Sequence, residues 1–193
     1  MGGKPRFRRL SIDVKLQFTH NLLDMAKNTD IGVHETALYF LPVETRVPLK
    51  FGPETLTYVT CARARVRVED GRGRSAEGWG ETPLSVQWVW PAEQSYEERH
   101  EALKAFCVEL ARSWSGFKNV GHPLEIGHAF QESCLPQLLK QFNQARPAPM
   151  PWLAALVCCS PFDIALHDAY GDLVKRPVYA TYNDHFMSRD LAA

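Results

Sequence analysis

The sequence lacks an excess of charge of either sign. Its 193 residues include 22 Lys and Arg against 22 Asp and Glu. A neutral chain offers no general electrostatic attraction to nucleic acid or to an anionic membrane surface. The sequence also lacks an apolar run of about 20 residues, the length of a membrane span. Its basic start, Met1–Leu10, is not followed by the apolar segment of a secretory signal. These absences predict a cytoplasmic protein with no nucleic-acid or membrane partner.

Paired cysteines are lacking as well. The five cysteines are odd in number and irregular in spacing, and no C-x-x-C pair occurs: Cys61, Cys107, Cys134, Cys158 and Cys159. This pattern argues against a disulfide framework and against a structural zinc site. We expect buried free thiols, the usual state of unpaired cysteine in a reducing compartment.

The sequence does contain a pattern of three strands. They are predicted at Glu35–Val47, Thr55–Glu69 and Ser75–Glu81, with a loop over Pro48–Pro53 and a turn at Asp70-Gly71, where glycine accepts a positive φ. In the second strand small apolar residues (Ala62, Ala64, Val66, Val68) alternate with charged ones (Arg63, Arg65, Arg67, Glu69). Strict alternation indicates one buried and one wet face, hence an antiparallel meander. The arginine row is interpreted as a solvated face, because no stacking aromatics interleave with it.

Helical patterns follow the strands. Ser95-x-x-Glu98 predicts a capping box, and Gly116 is a plausible stop for the helix that it opens. A second helix is expected over Leu124–Phe142, kinked or split at Pro136.

The third helical stretch, Trp152–Val174, contains Ser160-Pro161, which predicts a restart with Ser160 as the cap and Pro161 at the first helical position. Strands followed by helices define an α+β unit. A short amphipathic helix is expected around Leu22–Ala26 in a polar N-terminal extension, residues 1–32.

Two segments carry a family resemblance. The third strand ends in Gly78-Trp79-Gly80-Glu81, and the last helix reads D-x-A-L-x-D-x-x-G over Asp163–Gly171, followed by Pro177-Val178-Tyr179. In this order the motifs resemble the capping domain of the mandelate racemase/muconate lactonizing enzyme branch of the enolase superfamily. The two glycines are expected to let the Trp79 ring lie against close backbone. The small residues Ala165, Ala169 and Gly171 are expected to permit tight helix packing.

The resemblance implies the architecture of the chain. It implies an enolase-like cap over residues 33–182, built as a three-stranded antiparallel meander followed by a helical bundle. Residues 183–193 would then be the start of a truncated (β/α) barrel. The resemblance also suggests a homo-oligomer.

The resemblance further implies chemistry that these residues do not contain. In the family a barrel of roughly 200 residues or more supplies a K-x-K pair and three acidic ligands for Mg²⁺. The reaction is proton abstraction next to a carboxylate, as in racemases, epimerases, cycloisomerases and sugar-acid dehydratases, which are isomerases or lyases. No K-x-K occurs in this sequence, so no catalytic or metal-binding residue is assigned to it. We expect a fragment of a longer enzyme that acts on a small carboxylate substrate.

In such a cap, two loops would recognise the substrate. At the matching positions, Leu49–Glu54 and Pro83–Trp90, Lys50 could pair with a substrate carboxylate or hydroxyl, while Phe51 and Trp88, with Trp90, could wall the pocket. The alternative is that Lys50 is solvated and that both tryptophans pack on the cap itself.

Three acidic residues are interpreted as structural. Asp163 and Asp168 are five residues apart and so do not share one helix face, and Asp163 would favour a helix N-terminus. Glu81 is expected to form an ion pair at its strand end. A second hypothesis for the whole chain also stays open: a non-catalytic, stand-alone binding or assembly module.

Overall fold

The computed structural model describes residues 11–14, 27–51 and 54–189, and for 11–14, 51 and 54 the backbone alone. The helix expected around Leu22–Ala26 lies outside these ranges. The strands are β1 (Ser11–Val14), β2 (Ile31–Phe51), β3 (Glu54–Asp70), β4 (Ser75–Pro83) and β5 (Val120–Gly121). The helices are α1 (Val86–Val89), α2 (Tyr96–Gly116), α3 (Pro123–Ala129), α4 (Leu135–Asn143) and α5 (Trp152–Val174).

The fold class is confirmed as α+β with an antiparallel meander. The sheet has the order β1-β2-β3-β4, and β5 adds to β2 on the same edge as β1. The predicted three strands correspond to β2, β3 and β4 of a five-stranded sheet. The division into an extension, a cap and a barrel start stays a prediction, although β1 falls within the proposed extension and pairs with β2.

The apolar face of β3 forms the centre of the core, as its alternation predicts. Ala62, Ala64, Val66 and Val68 are fully buried, and β3 packs against α2 and α5. The opposite row is partly or fully exposed and is neutralised by acids: Arg63 pairs with Glu81 and Arg65 with Glu35, each at 2.5 Å. The interpretation of the arginines as a wet face and of Glu81 as a structural partner is confirmed.

The two glycines of β4 serve a purpose different from the expected one. A Cβ on Gly78 would lie 2.1 Å from the Ala169 nitrogen, and one on Gly80 would lie 2.0 Å from the Pro161 oxygen. Both glycines therefore face the backbone of α5, with Ala165 and Ala169 as the small residues beneath them. Trp79 points to the other side of the sheet, because side chains alternate along a strand. Its ring is half-exposed and lies 5.9 Å from that of Tyr39.

The restart predicted at Ser160-Pro161 is wrong, because α5 is one continuous helix from Trp152 to Val174. Pro161 has no N–H for the Val157 carbonyl one turn earlier. The Ser160 hydroxyl donates to that carbonyl instead, at 2.9 Å, and lies 2.6 Å from the Thr82 hydroxyl on β4. Asp163 is consequently in mid-helix rather than at an N-terminus.

The other local predictions agree with the structure, except for the position of the glycine with a positive φ. Ser95 and Glu98 form the predicted capping box, and α2 ends at Gly116. The break expected at Pro136 is a π-helical segment, Phe130–Cys134, between α3 and α4. In the turn after β3 the positive φ falls on Gly73 rather than on Gly71. The cysteines are free, and all are buried except the half-buried Cys134.

Candidate substrate-recognition site

The meander brings the two predicted recognition segments to the same end of the sheet. The connection from β2 to β3 and the segment after β4 both leave from that end, since the strands alternate in direction. The backbone N–H of Leu84 donates to the carbonyl of Thr60 at 2.8 Å, which fixes the second segment beside β3. The two segments therefore start near one another at this end of the sheet.

The first segment is not a loop but a two-stranded arm. Within the described residues, β1 pairs with β2 only up to Tyr39, and β4 pairs with β3 only up to Cys61. Beyond that level β2 and β3 continue as a ribbon, which we call the hairpin arm (residues 42–51 and 54–60). The predicted strand end at Val47 is thus wrong, as is the predicted loop over the described residues 48–51. The pairing register of β2 and β3 shifts within this ribbon, between Glu44 and Leu49.

The register shift places apolar side chains in solvent. Four residues of β2, numbers 45–48, oppose the single residue Thr57. The Thr45 hydroxyl is within 3.3 Å of the Leu56 carbonyl, and Val47 at the bulge is 74% exposed. Leu49 and Tyr58 are also exposed. An isolated two-stranded hairpin is marginally stable in water, so these exposed apolar residues make the arm a candidate contact surface.

Lys50 and Phe51 lie near the outer end of the arm. Lys50 is exposed and pairs with Thr55, while Phe51 pairs with Glu54. Thr55 is six residues from Cys61, the last residue opposite β4. At about 3.4 Å per residue, Lys50 is therefore roughly 20 Å along the strand from the base of the arm.

Trp88 lies at the base, on α1. Its side chain is 58% exposed, as a recognition residue requires. Trp90 is 4% exposed and belongs to the core, and its carbonyl accepts a hydrogen bond from the buried Arg99 guanidinium. The suggestion that Trp90 walls a pocket is wrong, because its side chain, two residues after that of Trp88, is buried in the core.

Two of the aspartates of α5, Asp163 and Asp168, have structural contacts. Asp168 accepts a hydrogen bond from the Trp79 N–H at 2.8 Å, which ties the helix to β4. Asp163 lies against Gly127 of α3 and 3.8 Å from the His167 imidazole, and its burial raises the pKa of its carboxyl. The structural interpretation of both residues agrees with these contacts.

Replacing Asp168 with Ala should lower the free energy of unfolding by about 1 kcal/mol, because the Trp79 N–H loses a charged acceptor. The matched control is Asp172→Ala, which removes an exposed carboxylate one turn later on the same helix. Urea unfolding of the two variants measures the difference. Equal midpoints would contradict a structural contribution from Asp168.

A groove of about 460 Å³ lies at the C-terminal end of α5. Asp168, Asp172 and Lys175 line it together with Arg176–Val178. None of the three predicted recognition residues lines it. The acids and bases on its walls balance one another, so it shows no preference for a ligand of one charge.

A metal centre for Mg²⁺ does not fit the described residues. Within residues 11–14, 27–51 and 54–189, one group has donor atoms close enough together: Glu97, His100 and Glu101 of α2. Mg²⁺ prefers oxygen ligands, whereas this group includes an imidazole whose Nε2 is 2.9 Å from the Thr60 hydroxyl. Glu101 also pairs with Lys104 at 2.5 Å.

Sequence reasoning missed a buried polar cluster at the end of the sheet opposite the arm. His122 caps α3, and Glu125 accepts hydrogen bonds from the backbone N–H groups of Ser188 and Arg189 at 2.7 and 2.8 Å. The signal was present in the sequence: His122-Pro123-x-Glu125 has proline at the first helical position and an acid at the third.

α5 is long and apolar enough to cross a membrane by length and composition. Half of its most apolar window is buried inside the protein, where it packs against β3 and β4. Those contacts are typical of a core helix.

Comparison with known proteins gives one structural similarity. Neither family models nor curated protein sequences match the chain. The structure is similar to part of the crystal structure of L-talarate/galactarate dehydratase from Salmonella typhimurium LT2, with a TM-score of 0.47 and 16% identity. The similarity covers 89% of this chain and 37% of that chain, so this chain spans well under half of that enzyme's length. A similarity at this level carries no conclusion about activity.

Proposed function

We propose that this chain is the capping, substrate-specificity domain of an enolase-superfamily enzyme. The enzyme would be a racemase, epimerase, cycloisomerase or sugar-acid dehydratase that removes a proton next to a carboxylate. A barrel elsewhere in the complete protein would carry out the chemistry. We further propose a cytoplasmic homo-oligomer that binds a small carboxylate.

The observation that carries this proposal is the contact between the two family-like motifs. Gly78 and Gly80 of the first motif pack directly on the backbone of α5, at Ala165 and Ala169 of the second motif and at Pro161 just before it. Asp168 of the second motif accepts the N–H of Trp79 of the first. Residues that resemble a family in order along the chain thus meet in space, through contacts that only glycine and small residues allow.

The positions of the recognition residues support the same proposal. The hairpin arm projects from the end of the sheet at which α1 also lies, so the arm and Trp88 can cover one adjoining surface. Trp88 would supply an apolar wall that excludes water near the base. Lys50, farther out, would pair with a carboxylate or hydroxyl at the distal end of the substrate.

The proposed chemistry requires groups outside this chain. Mg²⁺, when bound in a barrel, stabilises the negative charge that forms on the substrate carboxylate. The described residues do not fit that ion, so the part left to this chain is binding, orientation and exclusion of water. A non-catalytic binding module would present the same surface to a partner.

The coding sequence that follows Ala193 separates these two possibilities. The proposal expects a pattern of alternating strands and helices with an early K-x-K pair. A stop codon directly after Ala193 would favour the binding module. Turnover of a carboxylate substrate by the isolated 193-residue chain would contradict the assignment of catalysis to a barrel.

In the enzyme with its barrel, Trp88→Ala should change the ratio of kcat/KM between two carboxylate substrates by about 10-fold, because one wall of the pocket is lost. Lys50→Ala should act mainly on substrates with a distal charge or hydroxyl. The control is Tyr179→Ala, since Tyr179 is exposed but lies beyond the C-terminal end of α5. Unchanged ratios in Trp88→Ala and Lys50→Ala would refute the recognition assignment.

A further inference from the structure

The buried His122 imidazole connects three parts of the chain. It lies just before α3, is 0% exposed, and faces Tyr170 of α5 at a ring-centroid distance of 4.9 Å. Its Nε2 is 2.9 Å from the hydroxyl of Thr181, in the 3-10 turn Val178–Thr181 that follows α5. Its Nδ1 is 3.2 Å from the backbone nitrogen of Leu124.

These contacts allow one protonation state. The Leu124 N–H can only donate, so Nδ1 must accept and carries no proton. The Thr181 hydroxyl donates its proton to the Val178 carbonyl and therefore accepts from the Nε2–H. Every hydrogen in this chain of bonds is assigned, and the imidazole is neutral.

We propose that His122 is a pH-sensitive latch: the neutral ring holds residues 178–189 against α3 and α5, and protonation of Nδ1 releases them. A proton on Nδ1 would point at the Leu124 N–H, so two donors would face each other at the start of α3. The cap would be lost, and the positive charge would be buried unless the ring moved into water.

The surroundings favour the neutral ring. Burial, with a smaller contribution from His167 on α5, lowers the pKa of His122 from 6.5 to about 4. Glu125 on α3 acts in the opposite direction, but its carboxylate is engaged by the backbone N–H groups of residues 122, 188 and 189.

Two phenols and one further acid lie around the ring. Burial raises the pKa of Tyr170 to about 12 and also raises that of Tyr182, whose ring lies 5.6 Å from His122, so both phenols are neutral. Asp30, just before β2, also raises the pKa of Tyr170 through its charge and accepts a hydrogen bond from the Lys27 backbone N–H at 2.8 Å. Asp163 faces His167 rather than His122.

Release would free a segment held at several other points. Phe186 and Met187 are buried, and Lys27 donates to the carbonyl of Asp184. Glu125 holds the next two residues, Ser188 and Arg189. The latch therefore requires these contacts to open together with those of His122, while the sheet and α2 remain folded.

The sign of the pH effect follows from the depressed pKa. The released ring binds a proton near pH 6.5, whereas the latched ring binds one only near pH 4. The equilibrium constant for release therefore rises as the pH falls between these values, by ~25-fold from pH 7.5 to pH 5.0.

Hydrogen exchange of the full chain, corrected for intrinsic rates, tests the latch. Residues 178–189 should lose protection by ~25-fold between pH 7.5 and 5.0, while α2 keeps its protection. His122→Asn keeps an acceptor at the cap but cannot titrate. In that variant the protection of residues 178–189 should be weaker but independent of pH over the same range.

His128→Asn is the matched control, because it makes the same change at an exposed histidine of the same helix. It should behave as the wild type does. Glu125 is present in all three proteins, so the difference between them isolates His122. An equal pH dependence in His122→Asn and the wild type would overturn the proposal.

A second measurement needs no variant. In the wild type, the NMR resonances of the His122 ring should titrate together with the loss of protection at residues 178–189. Uptake of the proton with residues 178–189 still protected would overturn the latch even if His122→Asn failed to fold.

Discussion

Gly80→Ala should destabilise the domain by about 4 kcal/mol or more, a large part of the stability of an ordinary domain. The added Cβ would lie 2.0 Å from the Pro161 oxygen and 2.7 Å from the Ala165 nitrogen. Both atoms belong to the backbone of α5, so no side chain can rotate away. The sheet and the helix would have to separate, which would expose the core between β3 and α5.

Gly116→Ala is the matched control for this substitution. No atom lies within 4 Å of a Cβ at that position, which is the last residue of α2. Alanine is the better helix former, so this variant should unfold at the wild-type midpoint or slightly above it. Chemical denaturation followed by circular dichroism measures both. A Gly80→Ala protein within 1 kcal/mol of the wild type would show that β4 does not pack on α5 as described.

Trp114→Ala should cost about 3–5 kcal/mol through the cavity that it creates in the core. The indole is fully buried on α2 and stacks on Phe130 at 4.0 Å with an interplanar angle of 9°. Phe117 meets it edge-on at 6.0 Å. Phe130 begins the π-helical segment, so the loss of the indole should also loosen the junction between α3 and α4.

Trp88→Ala is the control for that prediction. It removes the same side chain from an exposed position and should change the free energy of unfolding by less than about 1 kcal/mol. Thermal unfolding of the two variants makes the comparison. Similar losses in both would mean that Trp88 is packed rather than available to a ligand.

Local chemistry in the sequence predicts much of this fold. The alternation along β3, the Ser95–Glu98 capping box and the stop at Gly116 depend on neighbouring residues, and each agrees with the structure. The errors have a different origin. A proline inside a helix normally ends it. At Pro161 the Ser160 hydroxyl donates the hydrogen bond that the proline cannot, and contacts with β4 stabilise the helix.

The candidate site could be predicted in outline but not in detail. The order of the strands is enough to place the arm and Trp88 at one end. Proline and glycine between residues 48 and 53 suggested a loop, whereas strand pairing resumes at Leu49 after a register shift that no sequence period reveals. Trp88 and Trp90 are only two residues apart in sequence, and the direction of the chain after α1 decides which one is exposed.

Two hydrogen-bonded contacts between α5 and β4 limit which parts of this domain can become more ordered when it binds a ligand. Ser160 with Thr82 and Asp168 with Trp79 join the helix to the strand at points about 12 Å apart, at 1.5 Å per residue. These contacts limit the movement of α5 relative to the sheet. Closing on a substrate would restrict only the arm and the turn that carries Trp88, so the entropic cost of binding falls on a few residues. Substitutions that stiffen the arm should therefore tighten binding without touching the core.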